Sequence, residues 1–290
     1  MGNHRTILIA LFASAIAVQI CSVCATFSDE TVFYWSAGGG RYTAPDNVYL
    51  GLNKTGGSGI KSKSGYMYGS ITVGIKLPSG NSAGTVTTFY LSSDGDTHDE
   101  VDFEFLGNVT GEPYTIHTNI YTQGFGKREQ QFKPWFNPAD GYHYYTIFWN
   151  LYQVVWLVDG KPIRVFRNYH DSEINYPDSQ PMHAYSSFWN ADDWATQGGR
   201  VKTDWTLAPF KAQLQNYKAD ACYCSDKSCV ARCSEKKPTN WWTKQKYFKL
   251  SSSQNEEMNR IRRECMIYNY CTDSPRFNGD FPKECSLTQY

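Results

Sequence analysis

The segment from His98 to Asn108, HDEVDFEFLGN, alternates between polar and apolar side chains. A period of two predicts a β-strand with one face on a core and the other face open. Like charges on alternate residues repel each other, and strand propensity opposes acidic residues. A solvated edge strand could carry such a row to prevent edge-to-edge pairing, but the neighbouring Phe103 and Phe105 favour a strand packed on a core. The carboxylates on the open face are Glu100, Asp102 and Glu104.

Carboxylates arranged in this way suit glycoside hydrolysis. A retaining glycosidase needs two carboxyl groups about 5–5.5 Å apart, one as nucleophile and one as acid/base. The Cα atoms of Glu100 and Glu104 are about 13 Å apart in a flat strand, and side chains leaning together on a concave sheet could close most of that gap. Asp102 lies between them and could keep the two ionisation states unequal.

The same segment resembles the catalytic strand of glycoside hydrolase family 16, in its plant xyloglucan endotransglucosylase/hydrolase branch. That branch has the pattern His-Asp-Glu-x-Asp-Phe-Glu-Phe-Leu-Gly-Asn, and every fixed residue is present here. The resemblance implies that Glu100 is the nucleophile, that Asp102 assists and that Glu104 is the acid/base. It is weakest before about Ser62, where Tyr34-Trp35-Ser36 departs from the usual Thr-Trp-Gly.

The resemblance also implies which residues bind sugar. They come from the catalytic strand, from three further segments and from the C-terminal region: Glu104, His117, Thr118, Asn119, Lys127, Arg128, Glu129, Asp193, Trp194, Gly198 and Arg276. Lys127 stands where Asn is usual. Polar and glycine residues flank Trp194, which favours stacking on a sugar ring over packing in the core.

Short strand patterns fill the chain from about residue 48 to 217 and predict an all-β fold. Asp94-Gly95 and Asp159-Gly160 are hairpin signals. Many short strands without long helices between them favour an antiparallel β-sandwich, here a concanavalin-like jelly roll. The predicted strands are 48–52, 71–77, 84–91, 114–121, 142–149, 154–158, 163–166, 182–189 and 210–217.

The first residues predict a secretory signal peptide. His4 and Arg5 precede an apolar run, 7–18, that is shorter than the ~20 residues of a membrane helix. Val23-Cys24-Ala25 resembles a small-residue cleavage site. We therefore expect a signal peptide over 1–25, a catalytic domain over 26–219, no membrane span, and secretion to the cell wall and apoplast.

The C-terminal region, 220–290, contains seven of the nine cysteines. In a secreted chain such crowding favours disulfides over a zinc module. We expect a Cys271–Cys285 bond and a bond from Cys222 to Cys229 or Cys233, and we expect Cys265 to be unpaired. The spacing predicts a helix over 254–265, with Ser253 and Glu256 as a capping box. The Tyr-Asn-Tyr-Cys-Thr-Asp motif of the xyloglucan branch stands at 268–273.

Composition limits the partners. The formal net charge is zero, which argues against a basic nucleic-acid binder. Aromatic residues make up 16% of the chain, as suits a carbohydrate groove. Asp94, Asp96 and His98 lack the spacing of a calcium loop, so we expect no metal and no cofactor. Asn108-Val-Thr is an N-glycosylation sequon, and we expect a monomer.

These observations predict a secreted enzyme that cleaves the β-1,4-glucan backbone of xyloglucan with retention and transfers it to another xyloglucan end or to an oligosaccharide acceptor. The segment 167–181 resembles the short loop of transferase-type members. Two alternatives stay open: an endo-hydrolase of xyloglucan or mixed-linkage glucan, and a non-catalytic lectin on the same sandwich.

Overall fold

The computed structural model describes residues 25–170 and 173–289. All but the last residue of the expected signal peptide, and two residues of the 167–181 segment, lie outside these ranges. Within them, no helix has both the length and the apolar character needed to cross a membrane.

The described residues form fourteen β-strands. They are β1 (Thr31–Trp35), β2 (Arg41–Ala44), β3 (Asn47–Leu52), β4 (Ser58–Lys76), β5 (Thr85–Ser92), β6 (Glu100–Leu106), β7 (Thr115–Tyr121), β8 (Gln130–Phe132), β9 (His143–Trp149), β10 (Gln153–Val158), β11 (Lys161–Arg167), β12 (Met182–Asn190), β13 (Phe210–Tyr223) and β14 (Met266–Asn269). The alternating strand around Glu100 is present as β6, the other nine predicted strands are present too, and β1, β2, β8 and β14 were not predicted.

The strands pack as two antiparallel layers that share the long strand β4. The front sheet has the order β1-β4-β12-β5-β6-β7-β8-β14, and the back sheet the order β2-β3-β13-β4-β9-β10-β11. The first part of β4 pairs with β1 and β12, and the second part pairs with β9 and β13. Strand β4 changes sheet near Tyr68 and Gly69, whose φ angles are 66° and 126°. A side-chain carbon at Gly69 would lie 2.3 Å from the Cα of Ala221, so the crossing requires glycine.

The core lies between the two sheets, and strand β6 contributes to it as its alternation predicts. Val101, Phe103 and Phe105 on β6 are fully buried. The ring of Tyr145 on β9 lies 5.6 Å from that of Phe103 and 4.5 Å from that of Phe105. Apolar burial of this kind contributes about 25 cal/mol per Å² and holds β6 against the back sheet. The all-β sandwich is confirmed.

Both hairpin signals join neighbouring antiparallel strands. Asp159 and Gly160, with φ angles of 49° and 75°, make the tight turn between β10 and β11. The connection that contains Asp94-Gly95 joins β5 to β6. Strand β13 continues to Tyr223, beyond its predicted end at 217, because a bulge between Gln215 and Lys218 lets pairing with β4 resume. The expected domain boundary at 219/220 therefore falls inside a strand.

The C-terminal region extends along both sheets. Its helices are α2 (Val230–Ser234), α3 (Ser252–Cys265) and α4 (Ser274–Phe277), after the short N-terminal α1 (Phe27–Glu30). The buried Met258 on α3 packs against Val155 and Val165 on the outer face of the back sheet. Strand β14 pairs with β8 at the edge of the front sheet.

The predicted capping box of α3 is wrong by two residues. Ser251 is the N-cap: its hydroxyl accepts a hydrogen bond from the backbone N–H of Gln254, whose side chain accepts one from the N–H of Ser251. The Ser251–Gln254 pair fits the same S/T-x-x-E/Q rule as the predicted Ser253–Glu256 pair, so the rule alone does not choose between them. Because Ser251 is the N-cap, the helix begins at Ser252.

The disulfide expectations are confirmed. Cys222 is bonded to Cys233, and Cys271 to Cys285. A third bond joins Cys224 to Cys229. Cys265 is a free, buried thiol.

Candidate active site

The three carboxylates lie on the outer face of β6, on the open side of the front sheet. Asp102 is 5% exposed, and the side chain of Glu104 is 23% exposed. Antiparallel pairing places Asp102 opposite Asn119 and Glu104 opposite His117 on β7. On the other side, β5 places Tyr90 opposite Asp102. The predicted face therefore lies between the outer faces of β5 and β7 on the front sheet, and we call this surface the catalytic groove.

Burial raises the pKa values of all three carboxyl groups, to different extents. Burial, then the charges of Glu100 and Glu129, raise the pKa of Glu104 to about 7. Burial, then the charges of Glu104 and Glu100, raise the pKa of Asp102 well above its ordinary value. Burial raises the pKa of Glu100 as well, and His98, Ser92 and Asp102 oppose that rise. Glu100 is thus the carboxyl with the most side-chain interactions that favour ionisation, whereas neighbouring carboxylates oppose the ionisation of Asp102 and Glu104.

Two residues of the back sheet support the catalytic strand from behind, and the sequence analysis did not identify them. The indole N–H of Trp156 donates a 2.9 Å hydrogen bond to the backbone carbonyl of Asp102. The guanidinium of Arg164 lies over the Trp156 ring, 4.6 Å from its centroid, and donates to the carbonyl and hydroxyl oxygens of Thr118. Arg164 is 1% exposed, and its charge lowers the pKa of Asp102. The sequence offered one signal for this role: a charged arginine stands between two buried strand residues, Ile163 and Val165.

His117 and Trp194 border the groove at the Glu104 end. The Nε2 atom of His117 lies 3.7 Å from Oε2 of Glu104, and its ring centroid is 6.2 Å from that of Trp194. Burial lowers the pKa of His117 to about 4. The imidazole is therefore neutral at ordinary pH and adds no positive charge beside Glu104. Trp194 is 38% exposed, which leaves part of its indole open to a ligand.

The loop that carries Asp193, Trp194 and Gly198 is anchored at its centre. The hydroxyl of Thr196 accepts a hydrogen bond from the backbone N–H of Gly84 and donates one to the carbonyl of Gly107. Asp193 and Gly198 are exposed on this loop. Anchoring of this kind positions Trp194 without covering it.

The C-terminal region supplies one charged residue to the same side. Arg276 on α4 forms a 2.7 Å ion pair with Glu129 and donates a 3.0 Å hydrogen bond to the hydroxyl of Tyr268. Glu129 in turn raises the pKa of Glu104. The structure therefore brings together five of the expected residues: Glu104, His117, Glu129, Trp194 and Arg276.

Two expected substrate-binding side chains have polar partners within the protein, and their roles in binding sugar stay predictions. Thr118 is fully buried because strand alternation turns it away from the groove, and its hydroxyl bonds to Arg164 and to the carbonyl of Gln130. Arg128 directs its guanidinium towards the C-terminal region, where it forms a 2.6 Å ion pair with the buried Glu284. A matched motif fixes the strand but not the face on which each residue lies.

The remaining expected residues have supporting positions. The side-chain oxygen of Asn119 accepts hydrogen bonds from the backbone N–H groups of Ile120 and Arg128. Lys127 is exposed with a φ angle of 64°. Asn108 follows β6, is partly exposed, and donates a 3.0 Å hydrogen bond to the carbonyl of Pro113. In the part of the chain that the structure describes, no three His, Cys, Asp or Glu side chains are grouped to hold a metal ion.

The groove side of β5 and β12 carries aromatic residues that the sequence analysis did not single out. The rings of Tyr90 and Tyr185 stack 5.0 Å apart, and Tyr34 meets Tyr185 edge-on at 5.8 Å. Tyr34 is 46% exposed. This row leads away from Asp102 in the region where the family resemblance was weakest.

Comparisons with known proteins agree with this geometry. The chain matches the family model for glycosyl hydrolases family 16 over residues 27–207 and the model for the xyloglucan endo-transglycosylase C-terminus over 236–285. It is 47% identical over 287 residues to the probable xyloglucan endotransglucosylase/hydrolase protein 23 of Arabidopsis thaliana, covering 98% of each chain. It is 50% identical over 236 residues to xyloglucan endotransglucosylase protein 1 of Diospyros kaki, covering 81% of this chain and 79% of that one.

Among solved structures, the fold is similar to that of a Bacillus licheniformis beta-glucanase. The TM-score is 0.51 at 25% sequence identity, and the match covers 63% of this chain and 84% of the beta-glucanase.

Proposed function

The chain belongs to the plant xyloglucan endotransglucosylase/hydrolases of glycosyl hydrolase family 16, and we propose that Glu100, Asp102 and Glu104 are its catalytic residues. The activity of the group is on xyloglucan. The observation that carries the residue assignment is the row of three partly or fully buried carboxyl groups on one strand face. A lectin has no need of such a row, since burial of three acidic groups together is unfavourable.

In the first step the carboxylate of Glu100 attacks the anomeric carbon of a backbone glucose. The bond from that carbon to the glycosidic oxygen breaks, and Glu104 gives its proton to the departing oxygen. A pKa of about 7 keeps Glu104 protonated in mildly acidic surroundings. The products are a covalent glycosyl-enzyme on Glu100 and a free glucan end.

In the second step the ionised Glu104 takes the proton of an incoming hydroxyl group, whose oxygen attacks the same carbon. The ester bond to Glu100 breaks, and two inversions give net retention of configuration. A glucan end as acceptor gives transfer, and water gives hydrolysis. Burial and the charges of Glu104 and Glu100 raise the pKa of Asp102, which reduces the negative charge beside whichever glutamate is ionised in each step.

Transfer is the main outcome that we propose, because the Glu104 side of the groove is built to hold an acceptor. Trp194 offers an exposed indole face, and the Glu129–Arg276 pair offers hydrogen-bonding groups. A well-oriented acceptor can reach an effective molarity of about 10⁵ M or more, far above that of water. The tyrosine row Tyr34–Tyr185–Tyr90 is the counterpart that holds the donor.

The setting follows from the same assignment. We further propose that residues 1–25 are a signal peptide and that the protein is secreted to the cell wall and apoplast. We also propose that Asn108 carries a glycan and that the protein is a monomer. The catalytic sandwich would end near residue 219, with the C-terminal region completing the acceptor side.

Product analysis tests the proposal. The enzyme is incubated with xyloglucan in the presence and absence of a labelled xyloglucan oligosaccharide. We expect the label to enter the polymer. We also expect the viscosity of xyloglucan to fall more slowly without the oligosaccharide acceptor than with it. An equal fall in viscosity without incorporation would indicate a hydrolase. Activity on unbranched mixed-linkage glucan alone would indicate the glucanase alternative, and binding without turnover would indicate a lectin.

A further inference from the structure

A second groove lies on the outer face of the back sheet, away from the catalytic strand. Thr146 and Phe148 on β9 form its floor, since the alternate residues Tyr145 and Ile147 face the core. The segment 241–250 of the C-terminal region forms its wall. The groove has a volume of about 310 Å³. We call it the back groove; it is lined by Thr146, Phe148, Gln153, Val155, Leu157, Trp241, Lys246, Tyr247, Lys249 and Leu250.

Three aromatic rings give the back groove a fixed shape. The rings of Phe148 and Trp241 are stacked with centroids 5.9 Å apart, and Tyr247 lies 5.0 Å from Trp241 and 5.5 Å from Phe148. The indole N–H of Trp241 donates a 2.8 Å hydrogen bond to the carboxylate of Asp220, which fixes the orientation of the ring. Trp241 and Tyr247 are partly exposed. Rigid, partly exposed aromatic faces offer contact area at low conformational-entropy cost.

The same groove is positively charged. Lys246 and Lys249 line it, and Lys244 is exposed beside them. The ammonium of Lys246 lies 4.8 Å from the centre of the Tyr247 ring. Among the described residues, none of these three lysines has a carboxylate within ion-pair distance. The lining contains no carboxylate among the described residues, and the carboxylate of Asp220 accepts the hydrogen bond from Trp241.

The charge is a property of the whole segment. From 226 to 250 the chain has seven Lys and Arg residues against two Asp and Glu, although the net charge of the whole chain is zero. The rest of the chain therefore carries a net negative charge of the same size as the net positive charge of 226–250. Such segregation gives the back groove a positive potential that favours anionic ligands.

We propose that the back groove binds a polysaccharide that carries carboxylate groups, that is, a polymer of uronic acids. Sugar rings would lie on Trp241 and Tyr247, and carboxylates would pair with Lys246 and Lys249. The two faces of the sandwich would then hold different polymers: a neutral glucan in the catalytic groove and an acidic chain behind it. Such binding would anchor the enzyme while it acts on its substrate.

Affinity electrophoresis tests the inference with two matched probes, polygalacturonate and its fully methyl-esterified form. Polygalacturonate should retard the protein at low ionic strength, and the neutral ester should not. The inactive variant Glu100→Ala should be retarded as strongly as the unaltered chain, because binding does not use the catalytic groove. Lys246→Gln combined with Lys249→Gln should weaken the binding of polygalacturonate about tenfold.

Controls separate a site from general charge. Lys54→Gln combined with Lys211→Gln removes the same two charges from exposed positions outside the back groove, and should leave most of the retardation in place. Tyr247→Ala, checked for folding by its thermal unfolding midpoint, should also weaken binding. Equal retardation by the neutral ester, an equal loss in the Lys54/Lys211 control, or full binding by the Lys246/Lys249 variant would each overturn the proposal.

Discussion

The catalytic row and the acceptor side of the groove are neighbours that arise in opposite ways. Glu100, Asp102 and Glu104 come from seven consecutive residues of β6. The acceptor side combines residues from β7, from two loops and from α4, whose segment is held by the Cys271–Cys285 disulfide: His117, Glu129, Trp194 and Arg276. Under the proposed assignment the chemistry is encoded locally, whereas the choice between acceptor and water depends on long-range assembly.

The two regions also differ in electrostatics. The catalytic row holds three acidic groups whose pKa values are raised by burial and, for Asp102 and Glu104, also by neighbouring carboxylates, and packing against the back sheet keeps them in place. On the acceptor side the acidic Glu129 is neutralised by Arg276. Changes in the row should therefore affect turnover, and changes on the acceptor side should affect the distribution of products.

The largest effect is expected from Glu100→Ala. Without the nucleophile no glycosyl-enzyme can form, so transfer and hydrolysis should both fall by more than about 10⁴-fold. Initial rates on xyloglucan measure both. Glu112→Ala, which removes an exposed carboxylate beyond the end of β6, is the control and should retain its activity. Near-normal turnover by Glu100→Ala would show that Glu100 is not the nucleophile.

Glu104→Ala should have the next largest effect, and only on substrates that need an acid. The rate on xyloglucan should fall about 10²–10⁴-fold, and less on an aryl glycoside whose leaving group departs without a proton. Glu104 must be protonated to act as acid, and its pKa is about 7. Activity of the unaltered enzyme should therefore decline as pH rises through about 7. A decline that persists in Glu104→Ala with the aryl glycoside would assign that pKa to another group.

Trp156→Phe should have a moderate effect on turnover. It keeps the buried ring but removes the hydrogen bond to the Asp102 carbonyl, a loss of about 1 kcal/mol that should lower kcat about fivefold. Trp149→Phe is a matched control, since its indole N–H donates a 2.9 Å bond to the carbonyl of Pro177 and its ring is equally buried. Both variants should lose similar stability, and Trp156→Phe alone should lose kcat. An equal loss of kcat in both would show that Trp156 has only a structural role.

The sequence predicted the local region better than the assembled one. Alternation in β6 correctly predicted the buried face and the open face, because the side chains of a strand alternate whatever its partners are. The inward position of Thr118 follows from the same alternation in β7, whereas the position of the Arg128 guanidinium depends on the buried Glu284, which is distant in sequence.

Two supporting features were missed for a related reason. The Trp156 hydrogen bond crosses from one sheet to the other, and no spacing along the chain encodes such a contact. The tyrosine row of the front sheet joins β1, β12 and β5, so it too exists only once the strands have paired.

Trp194→Ala should have the smallest effect on total turnover and the most selective one. The centroid of its partly exposed indole ring lies 6.2 Å from that of the His117 ring and 6.2 Å from that of the Trp189 ring. Loss of the indole therefore removes one stacking surface for the acceptor and leaves the three carboxyl groups of β6 in place. A tenfold weaker acceptor corresponds to about 1.4 kcal/mol, and water, which needs no aromatic platform, is unaffected. The ratio of transfer to hydrolysis should fall about tenfold at subsaturating acceptor, while donor cleavage changes little. Trp135→Ala, with 36% exposure against 38% for Trp194, is the matched control and should leave the ratio unchanged. If Trp194→Ala lowers the transfer product and the hydrolysis product equally, the indole ring supports donor binding or the fold. In that case Trp194 does not determine whether the acceptor is sugar or water.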